Sequence, residues 1–447
     1  MKDAKRFSRR KFIQAAGAGA AGLGSGVLVP RYALGQKKHS KTLKICQWNH
    51  FVPGYDKWFN TQHVKEWGDK NDTEVIVDNI ASTAITGRAA AEASAGRGHD
   101  LFWFTSPPAS FEDMVIDHKE IYEECEKKYG PAIQLAVKST YNPKTKKYFG
   151  FPESFAPDPI NYRVDLWDEA GVKPDSWDAI RQGGKKIKDK TGIPVGIGQS
   201  SEPDTAMAMR AVLYSFGASV QDENNQLVLN SKNTLEAVKF VKALYRETMT
   251  PEVLAWDPTS NNRAMLSGRA SLALNAISIT REAENRGMEI GSKILLAKAA
   301  QGPVRRIGVE HVMGVYVIWK FAENKEGAKK FLVDYVDNFR QAFISSELYN
   351  FPCFWERVPD LKELISKDKK ANPADKYTVL ADSLDWSTNV GYPGYATAAI
   401  DEAFSTWVIN TMFAQASTGE LSPEEAIKEA EAKCKRIWSK WQQRKMI

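Results

Sequence analysis

The chain has 447 residues, enough for two or three domains with substantial cores, and its apolar (43%) and charged (26%) fractions are ordinary for a globular protein. Its formal net charge of +6 resides in residues 1–35, where Lys2, Lys5, Arg6, Arg9, Arg10, Lys11 and Arg31 oppose Asp3 alone. The rest of the chain is therefore neutral, which argues against a general nucleic-acid binder with a basic face.

Ser8-Arg9-Arg10-Lys11-Phe12-Ile13 reads as a twin-arginine export signal. A weakly apolar, Ala- and Gly-rich run follows to Val29, and Ala33-Leu34-Gly35 offers a small-residue cleavage site before Gln36. That run is short and glycine-rich for a spanning helix, which needs about 20 apolar residues. The expectation is a signal peptide over 1–35, cleaved near Gly35-Gln36, and a periplasmic product. Gly17-Ala-Gly19-Ala-Ala-Gly22 matches the dinucleotide fingerprint but has no strand before it, so no cofactor is expected.

Lys41 to Asn49 predicts the first mature strand, with Leu43 and Ile45 alternating, and Pro53-Gly54 make its exit loop. Tyr55 to Lys70 is amphipathic, Glu74 to Ile80 is a second strand, Ile85 to Ala95 an alanine-rich helix, and Asp100 to Phe104 a third strand. Strand alternating with helix implies a parallel sheet with helices on both faces. Ligands of such sheets bind beyond the carboxyl ends of the strands. That rule selects Trp48, Asn49, His50 and Phe51 after the first strand, Thr83 after the second, and Thr105 and Ser106 after the third. For Trp48 and Phe104 the competing reading is core packing.

From Tyr148 to Trp177 the chain changes character. Gly150 and Pro152 punctuate an apolar run, Tyr162 to Ala170 carries helical spacing and stops at Gly171, and Ser176 can cap a helix opened by Trp177. A bending strand followed by two helices predicts a passage into a new lobe. The run Tyr148-Phe-Gly-Phe-Pro152, Asp165-Leu-Trp167, Ala170-Gly-Val-Lys-Pro174 and Ser176-Trp177 resembles the extracellular solute-binding proteins of ABC importers, the maltose-binding-like group. The resemblance extends, with interruptions, from about Leu43 to about Ile437.

It implies an α/β fold of the periplasmic-binding-protein type (type II): two lobes, each a mixed, mostly parallel sheet flanked by helices, joined by a hinge of crossover strands. Residues 40–151 with 298–345 would form lobe one, and 152–297 with 346–447 lobe two. It also implies cleft residues further along the chain. Phe155 and Asp158 lie in the first crossing. Glu202, before Pro203-Asp204, matches a ligand-touching glutamate, although acids also gather at solvated helix starts. In the segment Trp256 to Asn275, Trp256 offers a face for a sugar, and Asn262 and Asn275 offer donor and acceptor together. The competing role for Asn261 and Asn262 is capping the short helix that ends at Gly268. Tyr392, in Tyr392-Pro393-Gly394, sits where the family leads into aromatic contacts. Pro107-Pro108 replace charged sugar contacts found in maltose-binding relatives, so maltose specificity does not transfer.

No catalytic constellation is visible. His39, His50, His63, His99, His118 and His311 lack metal spacing, no G-x-S-x-G elbow or phosphate loop occurs, and Cys46, Cys125, Cys353 and Cys434 are far apart. A disulfide after export is open but unassignable. The reading is a monomeric substrate-binding component that captures a sugar-like solute by hinge closure and hands it to membrane permease subunits, with no metal, cofactor or nucleic acid. The alternatives are an exported glycan-active enzyme, or a binder of polyamines or another non-sugar solute.

Overall fold

The computed structural model describes residues 39–447; the export signal and cleavage site expected from the sequence lie outside them. Strand β1 (Lys41–Trp48) pairs in parallel with β2 (Thr73–Ile80), Leu43 opposite Val75 and Ile45 opposite Val77. On its other side β1 pairs in parallel with β3 (Leu101–Phe104), all four residues of which are buried, as expected of a central strand covered on both faces. The helices between them hold to the expected positions: a helical stretch over 53–71, bent by a single wide turn at Phe59–His63, and Ile85–Ala95.

β4 (Phe151–Ala156) and β5 (Ile160–Arg163) form one passage from this sheet to a second. β6 (Leu272–Leu274) and β7 (Ile294–Ala297) flank β5, both antiparallel to it. β8 (Val312–Ile318) returns to the first sheet between β3 and β4, and β9 (Phe351–Pro352) adds its last edge. The larger sheet therefore runs β9-β4-β8-β3-β1-β2, mixed in direction as expected, but with three of its five pairings antiparallel where a mostly parallel sheet was expected.

The second sheet is smaller than the reading above and antiparallel in its paired strands. The stretch 193–198 lies extended along its edge, with Gly196 N–H donating to Leu272 carbonyl and Ser271 N–H to Pro194 carbonyl. Tyr162 belongs to β5, and the helix starts only at Val164. Cross-strand pairing of Tyr162 with Leu272 and Leu295 overrides its helical spacing. β9 also pairs within the larger sheet, although residues 346–447 were expected with the second lobe.

Local signals set the helices of the second half. Ser176 and Ser231 cap Trp177–Thr191 and Lys232–Thr248 through Ala179 and Thr234 N–H, each worth about 1 kcal/mol. The final helix, Pro423–Gln443, opens with the full Ser422/Glu425 capping box. Three extended segments cross between the sheets side by side. His311 N–H donates to Ala156 carbonyl (2.8 Å), and Glu310 N–H to Thr388 carbonyl (2.9 Å). All four cysteines are buried and unpaired. No helix of the described residues is long and apolar enough to cross a membrane.

Candidate ligand-binding site

A cavity of about 400 Å³ opens where the carboxyl ends of β1 and β3 and the turn after β2 meet elements of the second half. That volume lies within the range of about 300–1,000 Å³ usual for small-molecule sites.

The first wall comes from the larger sheet. Trp48 ends β1, stacks on Trp103 of β3 (centroids 4.8 Å, planes 12° apart) and meets Phe51 edge-on at 5.4 Å. Phe104 ends β3 and packs on Phe111 at 5.5 Å. Thr83, Thr86, Thr105, Ser106 and Ser110 add hydroxyls between these rings. Behind the stack lies Glu153, fully enclosed. Its carboxyl accepts from Trp103 Nε1 (3.0 Å), Tyr55 hydroxyl (3.1 Å), Ser154 hydroxyl (2.8 Å) and Tyr335 hydroxyl. Burial raises its pKa against the opposing pull of those donors. The β4–β8 register shifts here, beside Gly314, where a Cβ would come within 2.5 Å of Glu153 Oε2 and displace that carboxyl.

The second wall is charged. Glu202 caps the helix Pro203–Ser215, accepting from Asp204 N–H (2.7 Å) and Thr205 N–H (2.5 Å), and Asp204 follows in the first turn. His311, on the second crossing, points Nδ1 at Asp158 Oδ1 (3.2 Å) and Nε2 at Asp204 Oδ1 (3.7 Å). Burial alone would lower the His311 pKa, but Asp204 and Asp158 outweigh it and hold it at about 9, so the ring is an imidazolium at neutral pH. Burial pushes the Glu202 and Asp204 carboxyls up, each opposed by its hydrogen bonds. Asp401, accepting from Ser110 N–H at 2.8 Å, is pushed up to about 6, again by burial. Phe404 and Trp407 close the wall as a third aromatic pair, 5.9 Å apart. Trp407 holds a left-handed backbone (φ 57°, ψ 29°), a conformation rare for a bulky residue and concentrated at functional sites.

Of the residues singled out from sequence, Trp48, Phe51, Thr83, Thr105, Ser106 and Glu202 line this cavity. Asn49 is exposed beside β2 instead, its N–H on Ile80 carbonyl. His50 is turned inward between Asn350 Oδ1 (3.0 Å) and Val52 N–H (2.9 Å), its pKa lowered by burial to about 4, and so it is a neutral structural ring. Phe155 is core, packed on Phe351. Asp158 acts on the cavity only through His311. Trp256 sits off to one side, against a crevice of about 10 Å³ that Glu202, Asp204 and Asn261 share. Asn262 and Asn275 satisfy each other and Ser278, closing their polar groups off, and both Asn261 and Asn262 lie inside the helix Ser260–Leu266 rather than at its cap. The Tyr392 hydroxyl accepts from Arg305, and its ring packs near Tyr214.

Sequence reading missed Phe111, Asp204, His311, Asp401, Phe404 and Trp407. The spacing Asp401, Phe404, Ser405 was the available signal, since positions three and four apart share a helix face. Aromatic contacts do follow the Tyr392-Pro393 loop, but a dozen residues later. Among the described residues no group of three His, Cys, Asp or Glu side chains is placed to hold a metal.

A family model described as bacterial extracellular solute-binding protein matches residues 58–339. An arabinooligosaccharide-binding protein of Bacillus subtilis is 22% identical over 214 residues, 44% of this chain and 47% of the relative. Its counterpart in Halalkalibacterium halodurans is 27% identical over 116 residues, 25% of each chain. The matches thus span less than half the length of these curated relatives. Among solved structures, a solute-binding protein of Thermotoga lettingae bound to α-D-tagatose superposes with a TM-score of 0.73 at 18% identity, covering 89% of this chain and all of that one. A maltose-bound protein of T. maritima does so with 0.73 at 20%, again over 89% and 100%. At such identities these two establish the fold, and the proteins they come from are binding proteins.

Proposed function

Because the chain belongs to the bacterial extracellular solute-binding proteins, we propose that it captures a sugar or sugar derivative in this cavity and delivers it to the permease subunits of an ABC importer. The observation that carries the reading is the lining: three aromatic pairs interleaved with serine and threonine hydroxyls. Flat faces suit the C–H surface of a sugar ring, and hydroxyls suit its hydroxyls. The tagatose- and maltose-bound neighbours and the arabinooligosaccharide-binding relatives support the same class.

The mechanism is hinge closure. A ligand that touches both walls binds the closed arrangement better and shifts the population toward it. Residues 40–151 with 298–345, and 152–297 with 346–447, serve as the moving bodies, except that β4 and β9, both paired in the larger sheet, stay with the first. The three crossings bend between them, and His311 sits at that pivot. The product is a monomer of the periplasm, exported by the twin-arginine route with cleavage near Gly35-Gln36. It binds without turnover, in keeping with a family of binding proteins.

A thermal-shift screen over sugars, sugar alcohols, sugar acids and polyamines tests this. A ligand at 100 times its dissociation constant adds about 2.7 kcal/mol of stability. Stabilisation by a sugar-type compound, recovered unchanged, supports the reading; chemical conversion of that compound, or stabilisation by non-sugars alone, contradicts it.

A further inference from the structure

The charges around the cavity are lopsided. Glu202, Asp204 and Asp401 line it, with His311 the one basic side chain among the lining residues and no Lys or Arg there. The His311 charge is committed to Asp158 and Asp204, so the lining acids without a basic partner are Glu202 and Asp401. Another cation close by, Arg210, is fully buried on the helix Pro203–Ser215, its guanidinium carbon 4.9 Å from the Phe404 ring centroid, and does not line the cavity. The acids lie among aromatic faces: Trp48 and Phe51 on one side, Phe104 and Phe111 below the hydroxyls, Phe404 and Trp407 opposite.

We propose that the solute is an aminated carbohydrate, an amino sugar or aminocyclitol bearing a protonated amine, and that the second wall selects for that charge. This rests on the carbohydrate reading above. A carboxylate facing an ammonium inside a partly dry site makes a charge-assisted hydrogen bond roughly twice as strong as a neutral one. The ring faces add cation–π attraction to the same charge. A neutral sugar forgoes both contributions. An acidic sugar meets like charge with no lining Lys or Arg to receive it. A linear polyamine satisfies the acids but leaves Thr83, Thr86, Thr105, Ser106 and Ser110 facing methylenes.

Calorimetric titration at pH 7 against matched triples tests this: glucose, glucosamine and glucuronate; galactose, galactosamine and galacturonate; and maltose beside the β-1,4-linked glucosamine disaccharide, with spermidine as a further probe. The amino member of at least one set binds at least about tenfold tighter than its neutral counterpart, and the acids do not saturate. Asp401→Asn, which keeps an acceptor for Ser110 N–H, shrinks that amino-to-neutral ratio by about tenfold, and Glu202→Gln shrinks it in a second variant should the first fail to fold. A neutral sugar that binds as tightly as its amino counterpart, or an acid that binds, overturns the inference and leaves the carbohydrate reading standing. Saturation by spermidine with no sugar bound overturns the carbohydrate reading and keeps the charge preference. No binding by any probe overturns both.

Discussion

Trp48, Phe51, Phe104, Thr105 and Ser106 face Asp204, His311, Asp401, Phe404 and Trp407 across one cavity, yet the two sets rest on different supports. The first stands on the ends of parallel strands, and its rings are fixed by stacking and by the buried Glu153 carboxyl. It presents neutral chemistry. The second is assembled from a helix N-terminus, a crossing strand and the helix Ala398–Ser405 far along the chain, and it presents charge. The lesson is a division of labour. A rigid neutral platform supplies flat faces and hydroxyls, while the charged wall at the pivot is where affinity can depend on ligand charge and where closure can be felt.

Substitutions can break that contrast. The largest effect expected is on the platform: Glu153→Leu strands the Trp103 and Ser154 donors, leaves the Tyr55 and Tyr335 hydroxyls only each other, and costs about 3–5 kcal/mol in urea unfolding. Glu153→Gln, which keeps an acceptor, loses less. A stability change below 1 kcal/mol for the leucine variant would show that the network does not hold the platform.

The next effect belongs to the charged wall and is a pH dependence. The folded pKa of His311 is raised to about 9, against an ordinary value of 6.5. Its contribution is fully present below pH 6.5 and is lost as pH rises toward 9, up to about 3 kcal/mol in all. His311→Gln should flatten the decline of unfolding free energy between pH 6.5 and 9; an unchanged slope would mean the imidazolium is not held by Asp158 and Asp204. Trp407→Ala follows, with about a 10- to 100-fold loss of ligand affinity, or roughly 1.4–2.8 kcal/mol. It changes unfolding free energy by less than about 1 kcal/mol, because Trp407 is only half-buried. The smallest effects are expected away from both walls. Tyr392→Phe and Asn49→Ala shift affinity by less than about twofold, since neither residue lines the cavity. A tenfold loss from either would move the site.

This contrast also explains what could be read from the chain before its fold was known. The platform was legible because strands announce themselves by alternation, and one geometric rule places ligands past their carboxyl ends. Hence Trp48, Phe51, Thr83, Thr105 and Ser106 line the cavity as that rule predicts, while Asn49 and His50, from the same loop, point elsewhere. Loop position fixes neighbourhood, not side-chain direction. The charged wall was largely illegible. Glu202 was found by resemblance, but Asp204, His311 and Asp401 reach the cavity through tertiary packing of segments 107 and 90 residues apart. Local periodicity could mark Asp401, Phe404 and Ser405 as one helix face, but not what that face meets. Asn262 and Asn275 show the converse failure: chemistry well suited to a sugar was spent on each other and on Ser278.

The central claim, that one solute is held by both walls together, is tested most directly by titrating Phe51→Ala and Trp407→Ala side by side with the compound that stabilises the wild type most. If the account is right, each substitution, one per wall, weakens binding of that same compound by at least about tenfold while both proteins remain folded. Undiminished affinity in either variant would mean that the solute rests on a single wall, and that the cavity between them is not the binding site.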